Sequence, residues 1–360
     1  MPKVAIIILN WNGWKDTVKC LESLYQINYP NYDVIVVDNG SEDNSVQKIR
    51  EYCEGKIKAE STFFEYNSNN KPIYVLEYTK EQAEIGGNFK RERYFSKLPS
   101  NRKLRLILNG KNYGFAGGNN VGIRYSLKAL SPDYIMLLNN DTIAVDKEFL
   151  TKLVKVAESD EKVGFVGCKL IHPDGRNQYV GTYMVPYLHY WLYALYTKLR
   201  GCKLPTVKDI MQSNKILELD AVCGAAMLVR SEVIECIGLL DEGFFPGYHE
   251  ETDWCYRGRM HGFKVIYNPD SVIVHHCSSS SKKLDNDYVY FVLEKNLLRL
   301  CLLNHPVSWL ILEIPNHIII NFFYGIPNKR LRYLIKVYLD NLKNLKNIIR
   351  KRRNRKNYKN

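Results

Sequence analysis

The chain has no disulfide framework. Its nine cysteines are odd in number and no two stand in a C-x-x-C pair. That argues against a zinc ribbon or a stapled secreted scaffold. It fits a reducing compartment in which most of these thiols are small buried apolar groups. A targeting segment is missing too: the apolar run Val4–Leu9 is too short for a signal peptide and stops at Asn10-Trp11-Asn12-Gly13. No apolar run of spanning length is uninterrupted. The most apolar stretch, Leu297–Ile326, is broken by Glu313, Pro315, Asn316, His317 and Asn321. This favours an interfacial or re-entrant segment, or a pair of packing helices, over a membrane span.

Most of the chain also lacks net charge. Residues 1–327 hold 38 basic and 37 acidic side chains, whereas Asn328–Asn360 hold thirteen Lys/Arg against the single acid Asp340. A neutral body argues against nucleic acid as a partner. A basic tail beside an apolar stretch points instead to an anionic membrane surface. With 46% apolar and 25% charged residues in 360 positions, the chain is neither disordered nor fibrous.

What is present is a strand–helix alternation over the first 140 residues. Val4–Leu9, Asp33–Asp38, Leu104–Leu108 and Tyr134–Leu138 read as strands buried on both faces. Helical spacing fills Asp16–Tyr25 and Phe115–Leu130. The pattern predicts an α/β fold with a mostly parallel sheet flanked by helices. Residues 53–103 interrupt it and read as an insertion on the sheet rim, with one strand at Ile73–Tyr78. Tyr183 to Leu199 is dense in aromatics, for core packing or for an acceptor or lipid. The expected organisation is a domain over 1–285, an apolar helical segment over 286–327 and a basic tail over 328–360.

Three strands end on polar clusters, Asn10-Trp11-Asn12, Asp38-Asn39-Gly40-Ser41 and Asn139-Asn140-Asp141. Ligands of open α/β sheets bind beyond the carboxyl ends of the strands. Asp38 is suited to accept hydrogen bonds from a base or ribose. The loop Asn112–Asn120, with Gly114, Gly117 and Gly118 ahead of a helix, reads as an anion cradle. It has neither G-x-G-x-x-G nor G-x-x-x-x-G-K-[ST] spacing, so dinucleotide and P-loop readings lose support. Asp141 is the one carboxylate of its cluster and suits Mg²⁺ or Mn²⁺ shared with substrate phosphates. Glu250, Glu251 and Asp253 fall within four residues after an aromatic loop, and a carboxylate there suits general-base work. Short strands are expected at Lys264–Tyr267 and Val272–Val274, the second running into His275-His276, where an imidazole suits a metal or a phosphate.

Together these stretches resemble the family-2 glycosyltransferases of the GT-A fold, in particular the rhamnosyltransferase-like branch. The resemblance is carried, in order, by Ile7-Ile-Leu-Asn-Trp-Asn-Gly13, Val36-Val-Asp-Asn-Gly-Ser41, Asn112-Tyr-Gly-Phe-Ala-Gly-Gly-Asn-Asn120 and Leu137-Leu-Asn-Asn-Asp141. Val222-Cys-Gly-Ala-Ala-Met-Leu-Val-Arg230 and Tyr248-His-Glu-Glu-Thr-Asp-Trp-Cys-Tyr-Arg257 complete the set. It implies that Leu9, Asn10 and Asp38 hold the nucleoside, with Asn112, Gly114 and Asn120 as further nucleotide-binding candidates. It implies that Asp141, Asn139 and His275 hold a divalent metal, Mg²⁺ or Mn²⁺. Glu251 matches the base, with Asp253 as the alternative, because Glu stands where relatives often carry Asp. Asn139 departs from the usual first acid of the metal motif.

The implied activity is an inverting transfer of a hexosyl or rhamnosyl group. The donor would be a nucleotide sugar and the acceptor a saccharide or lipid-linked glycan of the cell surface, with the enzyme in the cytoplasm, peripheral at the inner face of the cell membrane. The competing readings are a sugar-nucleotidyltransferase, which would need a basic Gly-rich loop after the first strand, and a non-catalytic carbohydrate-binding or scaffold protein.

Overall fold

The computed structural model describes residues 1–182, 207–277, 285–325 and 331–357. The aromatic stretch Tyr183–Leu199 and Ser278–Ser281 lie outside the described residues. Among the described residues there are twelve strands, in chain order: β1 (Val4–Asn10), β2 (Tyr32–Asp38), β3 (Tyr74–Thr79), β4 (Lys103–Leu108), β5 (Tyr134–Asn139) and β6 (Thr142–Ile143), then β7 (Val163–Ile171), β8 (Gly181–Thr182), β9 (Leu217–Leu219), β10 (Ala221–Val222), β11 (Ala226–Arg230) and β12 (Lys264–His275). The main sheet runs β3-β4-β2-β1-β5-β11-β7-β12-β6, with β9 on β12. Its first five strands are parallel, β11 runs antiparallel between β5 and β7, and β12 lies parallel to β7. The central strands are apolar throughout because helices cover both faces, and Val4–Ile8 and Val34–Val37 are fully buried.

Residues 53–103 contribute the edge strand β3 and the helices Lys80–Glu84 and Phe89–Phe95. They are also joined to the sheet by charge: Arg105 on β4 bonds Glu92 at 2.8 Å and Asp33 at 2.7 Å, all three buried. The two short strands expected at 264–267 and 272–274 are one twelve-residue strand, β12. Pairing with β7 absorbs Pro269 at a register shift between Asn268 and Val272, so the proline marks a bulge and not a strand end.

The C-terminal part is not a loose tail. Helices Asn286–Asn304, Val307–Gly325, Leu331–Lys343 and Leu345–Asn357 follow one another. The first and last enclose a small apolar cluster with Phe244, formed by Leu300, Leu303 and Ile348. Among the described residues no helix is long and apolar enough to cross a membrane.

Candidate active site

The register of β1 on β2 sets Asn10 opposite Asp38. The Asn10 amide donates to Asp38 Oδ1 at 2.8 Å, and Ser41 donates to the same carboxylate through its hydroxyl at 2.6 Å and its backbone N–H at 3.0 Å. Asp38 is thus fixed at the strand end by its own turn, and Thr17 fixes Asn10 in its turn at 2.7 Å. Leu9, next to it on β1, is half-buried against the helix Gly114–Ala129.

The glycine-rich loop is built for close approach. A side chain at Gly118 would meet Leu9 Cδ1 at 2.4 Å, and Gly114, at φ +72°, would meet Phe245 and Pro246. The Phe115 N–H at the head of that helix donates to the Pro246 carbonyl at 2.8 Å. Asn112 Oδ1 accepts from Asn39 and from the Gly114 N–H. Asn120 is occupied inside the fold, bonding Leu240 through both its amide and its carbonyl and Glu242 at 3.0 Å. These two candidates therefore order the cradle wall through hydrogen bonds to the protein itself.

Three metal candidates converge. Pairing of β12 with β6 places His275 opposite Thr142, one residue from Asp141. His275 Nε2 lies 3.2 Å from Asp141 Oδ1 and 3.5 Å from the Asn139 amide nitrogen. Gln178 holds the other ring nitrogen, His275 Nδ1, at 2.9 Å, and also donates to the His275 carbonyl. Burial disfavours an imidazolium there, yet hydrogen bonding to Asp141 and Cys277 and the Asp141 charge outweigh it, and the His275 pKa is pushed up to about 9. One carboxylate and one oriented imidazole, with the Asn139 amide oxygen added when that side chain is turned over, are a donor set that fits a divalent ion with open positions for phosphate oxygens. Nothing in the sequence signals Gln178: its loop reads as ordinary, and the contact spans 97 residues.

The helix Glu250–Met260 carries the acids and begins after two consecutive residues in left-handed conformation, Tyr248 at φ +75° and His249 at φ +71°. Such backbone costs about 1–3 kcal/mol per residue and persists only where neighbours enforce it. The enforcing side chain is Asn296, fully buried on the helix Asn286–Asn304. Its amide donates to the carbonyls of Phe244, Gly247 and Tyr248.

Glu251 lies half-buried against Gly224, where a side chain would stand 3.2 Å from Glu251 Cβ. The next residue, Ala225, accepts from the Asn139 backbone N–H at 2.8 Å, so one short segment joins the Glu251 helix to the metal corner. Burial pushes the Glu251 carboxyl upward, and burial plus the Glu251 charge push Glu250 well up.

Asp253, the alternative candidate for the base, sits in a different setting. It is fully buried, and its oxygens bond Arg257 at 3.0 Å, Asn304 at 2.8 Å and Arg355 at 2.5 and 3.1 Å. Burial alone would raise its pKa, but Arg355 and Arg257 hold it below the usual carboxylate range. A carboxylate held ionised by two guanidiniums is a poor proton acceptor. Sequence reasoning missed this network, which continues through Asp241 to Arg299 at 3.1 Å and Lys351 at 2.5 Å.

Comparison with known proteins places the chain in a family. The family model "Glycosyltransferase like family 2" matches residues 92–288, and "Glycosyl transferase family 2" matches 5–71. The fold is that of the GT-A class. The chain belongs to glycosyltransferase family 2. It is 28% identical over 166 residues, 46% of this chain and 50% of the relative, to the low-salt glycan biosynthesis hexosyltransferase Agl10 of Haloferax volcanii. It is 27% identical over 188 residues, 52% of this chain and 57% of the relative, to the dTDP-rhamnosyl transferase RfbF of Shigella flexneri. The chain thus spans about half the length of these two curated relatives. In fold it is similar to the mannosyltransferase PcManGT of Pyrobaculum calidifontis, solved with GDP-Man and Mn²⁺. The TM-score is 0.50 at 16% identity, covering 83% of this chain and 63% of that one.

Proposed function

We propose that the chain is an inverting glycosyltransferase that moves a hexosyl or rhamnosyl group from a nucleoside-diphosphate sugar to a hydroxyl of a saccharide or lipid-linked acceptor in surface glycan synthesis. The observation that carries this reading is the junction of Glu251 with the Asn139–Asp141–His275 corner through Gly224 and Ala225. Asp38 and Asn10 hold the nucleoside. Asn139, Asp141 and His275 would hold Mg²⁺ or Mn²⁺, and the bound ion would supply positive charge against a diphosphate leaving group. Glu251 takes the proton of the acceptor hydroxyl as its oxygen attacks the anomeric carbon, from the face opposite the leaving nucleotide. Its upward-shifted carboxyl suits that step, and general-base catalysis contributes about 10²–10⁴ in rate. The donors named for the Shigella and Pyrobaculum proteins support a nucleotide sugar, and the Mn²⁺ of the latter supports a divalent ion.

The test is nucleotide release from a panel of nucleotide sugars, with and without Mg²⁺ or Mn²⁺, in the presence of saccharide acceptors. Donor- and metal-dependent release is expected. Binding without release would favour a carbohydrate-binding protein, and conversion of the nucleotide sugar to a nucleoside triphosphate and a sugar 1-phosphate only when pyrophosphate is added would favour a nucleotidyltransferase.

The reading extends to a peripheral site at the inner face of the cell membrane. The helix Val307–Gly325 exposes Ile311, Leu312, Ile318 and Ile319, which share a face at helical spacing, and Leu331–Lys343 exposes Ile335, Leu339 and Leu342. Exposed Arg332, Lys336, Lys343 and Lys346 supply charge for anionic headgroups. Sedimentation with anionic liposomes should fall when Ile311 and Ile319 are changed to Asp. Equal sedimentation of both proteins would remove the membrane from the function.

A further inference from the structure

A second set of metal-binding side chains lies apart from the catalytic corner, where the helix Asn286–Asn304 ends. Cys301 stands on its last turn and His305, four residues on, follows directly after it, so the two side chains meet on one side of the helix terminus. Pro306 then turns the chain, and the helix Val307–Gly325 brings Glu313 back to the same place. The thiol, an imidazole nitrogen and a carboxylate oxygen all lie within 4.8 Å of one another. His305 Nδ1 is 2.7 Å from Glu313 Oε2. Both residues are buried, at 7% and 5% exposure.

One feature of this cluster is unfinished. The second carboxylate oxygen, Glu313 Oε1, is buried without a hydrogen-bond partner. A buried polar atom without a partner is costly, and more so where the group is charged. Arg352 on the last helix donates to the Leu302 carbonyl at 2.8 Å. The site is walled by the rings of Trp309 and Tyr256, 5.9 and 6.3 Å from the His305 ring. An apolar wall strengthens any charge–charge attraction inside it.

We propose that Cys301, His305 and Glu313 bind a Zn²⁺-type divalent ion. A sulfur, a nitrogen and an oxygen donor suit a borderline-soft metal that takes four ligands, with water or none in the fourth place. The charges balance. Metal binding displaces the thiol proton of Cys301 to solvent and leaves a thiolate, a carboxylate and a neutral imidazole around a double positive charge. The set differs in kind from Asn139, Asp141 and His275, whose oxygen-rich donors suit Mg²⁺ or Mn²⁺. Its role is structural. It ties the turn after Asn304 to the next helix, and so braces the helix whose Asn296, Arg299 and Asn304 grip the loop and helix of Glu251.

The experiment uses the full untagged chain. It is loaded with Zn²⁺, dialysed free of excess and analysed for bound metal, then loaded with Co²⁺ in place of zinc and read by absorption. Retained zinc and a thiolate-to-cobalt charge-transfer band are expected. Both should be lost in Cys301→Ser, and zinc retention should weaken in Glu313→Gln, which keeps the shape of the side chain. Cys277 lies 3.4 Å from His275 in the catalytic corner and is the obvious false source of such a band. Cys277→Ser should therefore leave it unchanged. No thiolate band in the parent chain, or a band that survives Cys301→Ser and disappears in Cys277→Ser, overturns the proposal. Unfolding transitions of each variant, measured without metal, separate loss of ligand from loss of fold. None of these readouts depends on glycosyl transfer, so they stand or fall apart from the proposed activity.

Discussion

The two halves of the candidate site are held in different ways. The proposed metal corner is made by strand pairing: β5 and β12 carry Asn139 and His275, and Asp141 stands between β5 and β6, all set by backbone ladders of the main sheet. The Glu251 helix is held by side chains that arrive late in the chain. Asn296 grips its strained entry loop, Asn304 and Arg355 bond Asp253, and Arg299, Lys351 and Arg355 gather on Asp241 just upstream. A site fixed by ladders is insensitive to distant surface change. A site fixed by a few buried ion pairs is sensitive to each of them, because an orphaned buried charge is costly. The basic C-terminus therefore has two tasks: Lys351 and Arg355 face inward to the acids, while Lys343, Lys346 and Arg353 face solvent.

The largest effects should come from breaking either half outright, and the two losses should differ in kind. Asp141→Ala removes the one carboxylate of the metal corner, so turnover should vanish and metal-dependent donor binding should weaken, measured by calorimetry with and without Mn²⁺. Full activity at saturating Mn²⁺ would place the metal elsewhere. Glu251→Gln keeps the side-chain shape but takes no proton at neutral pH. Turnover should fall at least about a hundredfold while donor affinity stays near that of the parent. If Asp253→Asn were catalytically dead in a folded protein and Glu251→Gln active, the proton acceptor would be two residues away.

A smaller effect should separate the two kinds of support. Arg355→Met leaves Asp253 with Arg257 and Asn304 only, and Asp241 with Arg299 and Lys351. Breaking a buried pair on one side costs about 3–5 kcal/mol, and the remaining partners argue for the low end. Turnover should drop about tenfold to a hundredfold as Glu251 loses its position, with donor and metal affinity unchanged. Arg355→Lys should recover part of both. A drop in donor affinity equal to the drop in turnover would mean that the C-terminal helix supports the whole domain and not the Glu251 helix.

This asymmetry also explains what could be read from the sequence. Asn10, Asp38, Asn139 and Asp141 were legible because each sits at the carboxyl end of an apolar run, and the parallel sheet aligns such ends by rule. β1, β2, β4 and β5 were legible for the same reason. Asp253 was not separable from Glu251, since their difference lies in partners 51 and 102 residues away. β12 read as two strands because Pro269 looks like punctuation until its parallel partner β7 is seen to continue past it. Residues 328–360 read as a surface tail because composition records charge and not direction. Arg355 differs from Arg353 only in which side of a helix it occupies.

The finest comparison is by acid. Burial works against the Asp241 carboxylate, but Arg299 and Lys351 hold it well below the usual carboxylate range, and Asp253 is lowered in the same manner by Arg355 and Arg257. In the sheet, Asp33 is held down to about 2 despite burial, by Arg105, Lys103 and Lys3. All three have folded pKa values below that of an ordinary aspartate. Their stabilisation is therefore complete above that value and is lost as pH falls through the folded values. The loss should not be felt equally. The sheet keeps its large apolar core without Asp33, whereas the last helix docks on few apolar side chains, chiefly Ile348 against Phe244, Leu300 and Leu303. Acidification from pH 5 should therefore free the helix Leu345–Asn357 before the strands of the sheet open. Hydrogen exchange followed by segment, corrected for the pH dependence of intrinsic exchange, reads this directly. Protection of 345–357 should fall at a higher pH than that of β1 and β2, and raised salt should move only the first transition. Coincident loss in both regions would mean that apolar contact, and not the Asp241 and Asp253 pairs, fastens the C-terminal helix.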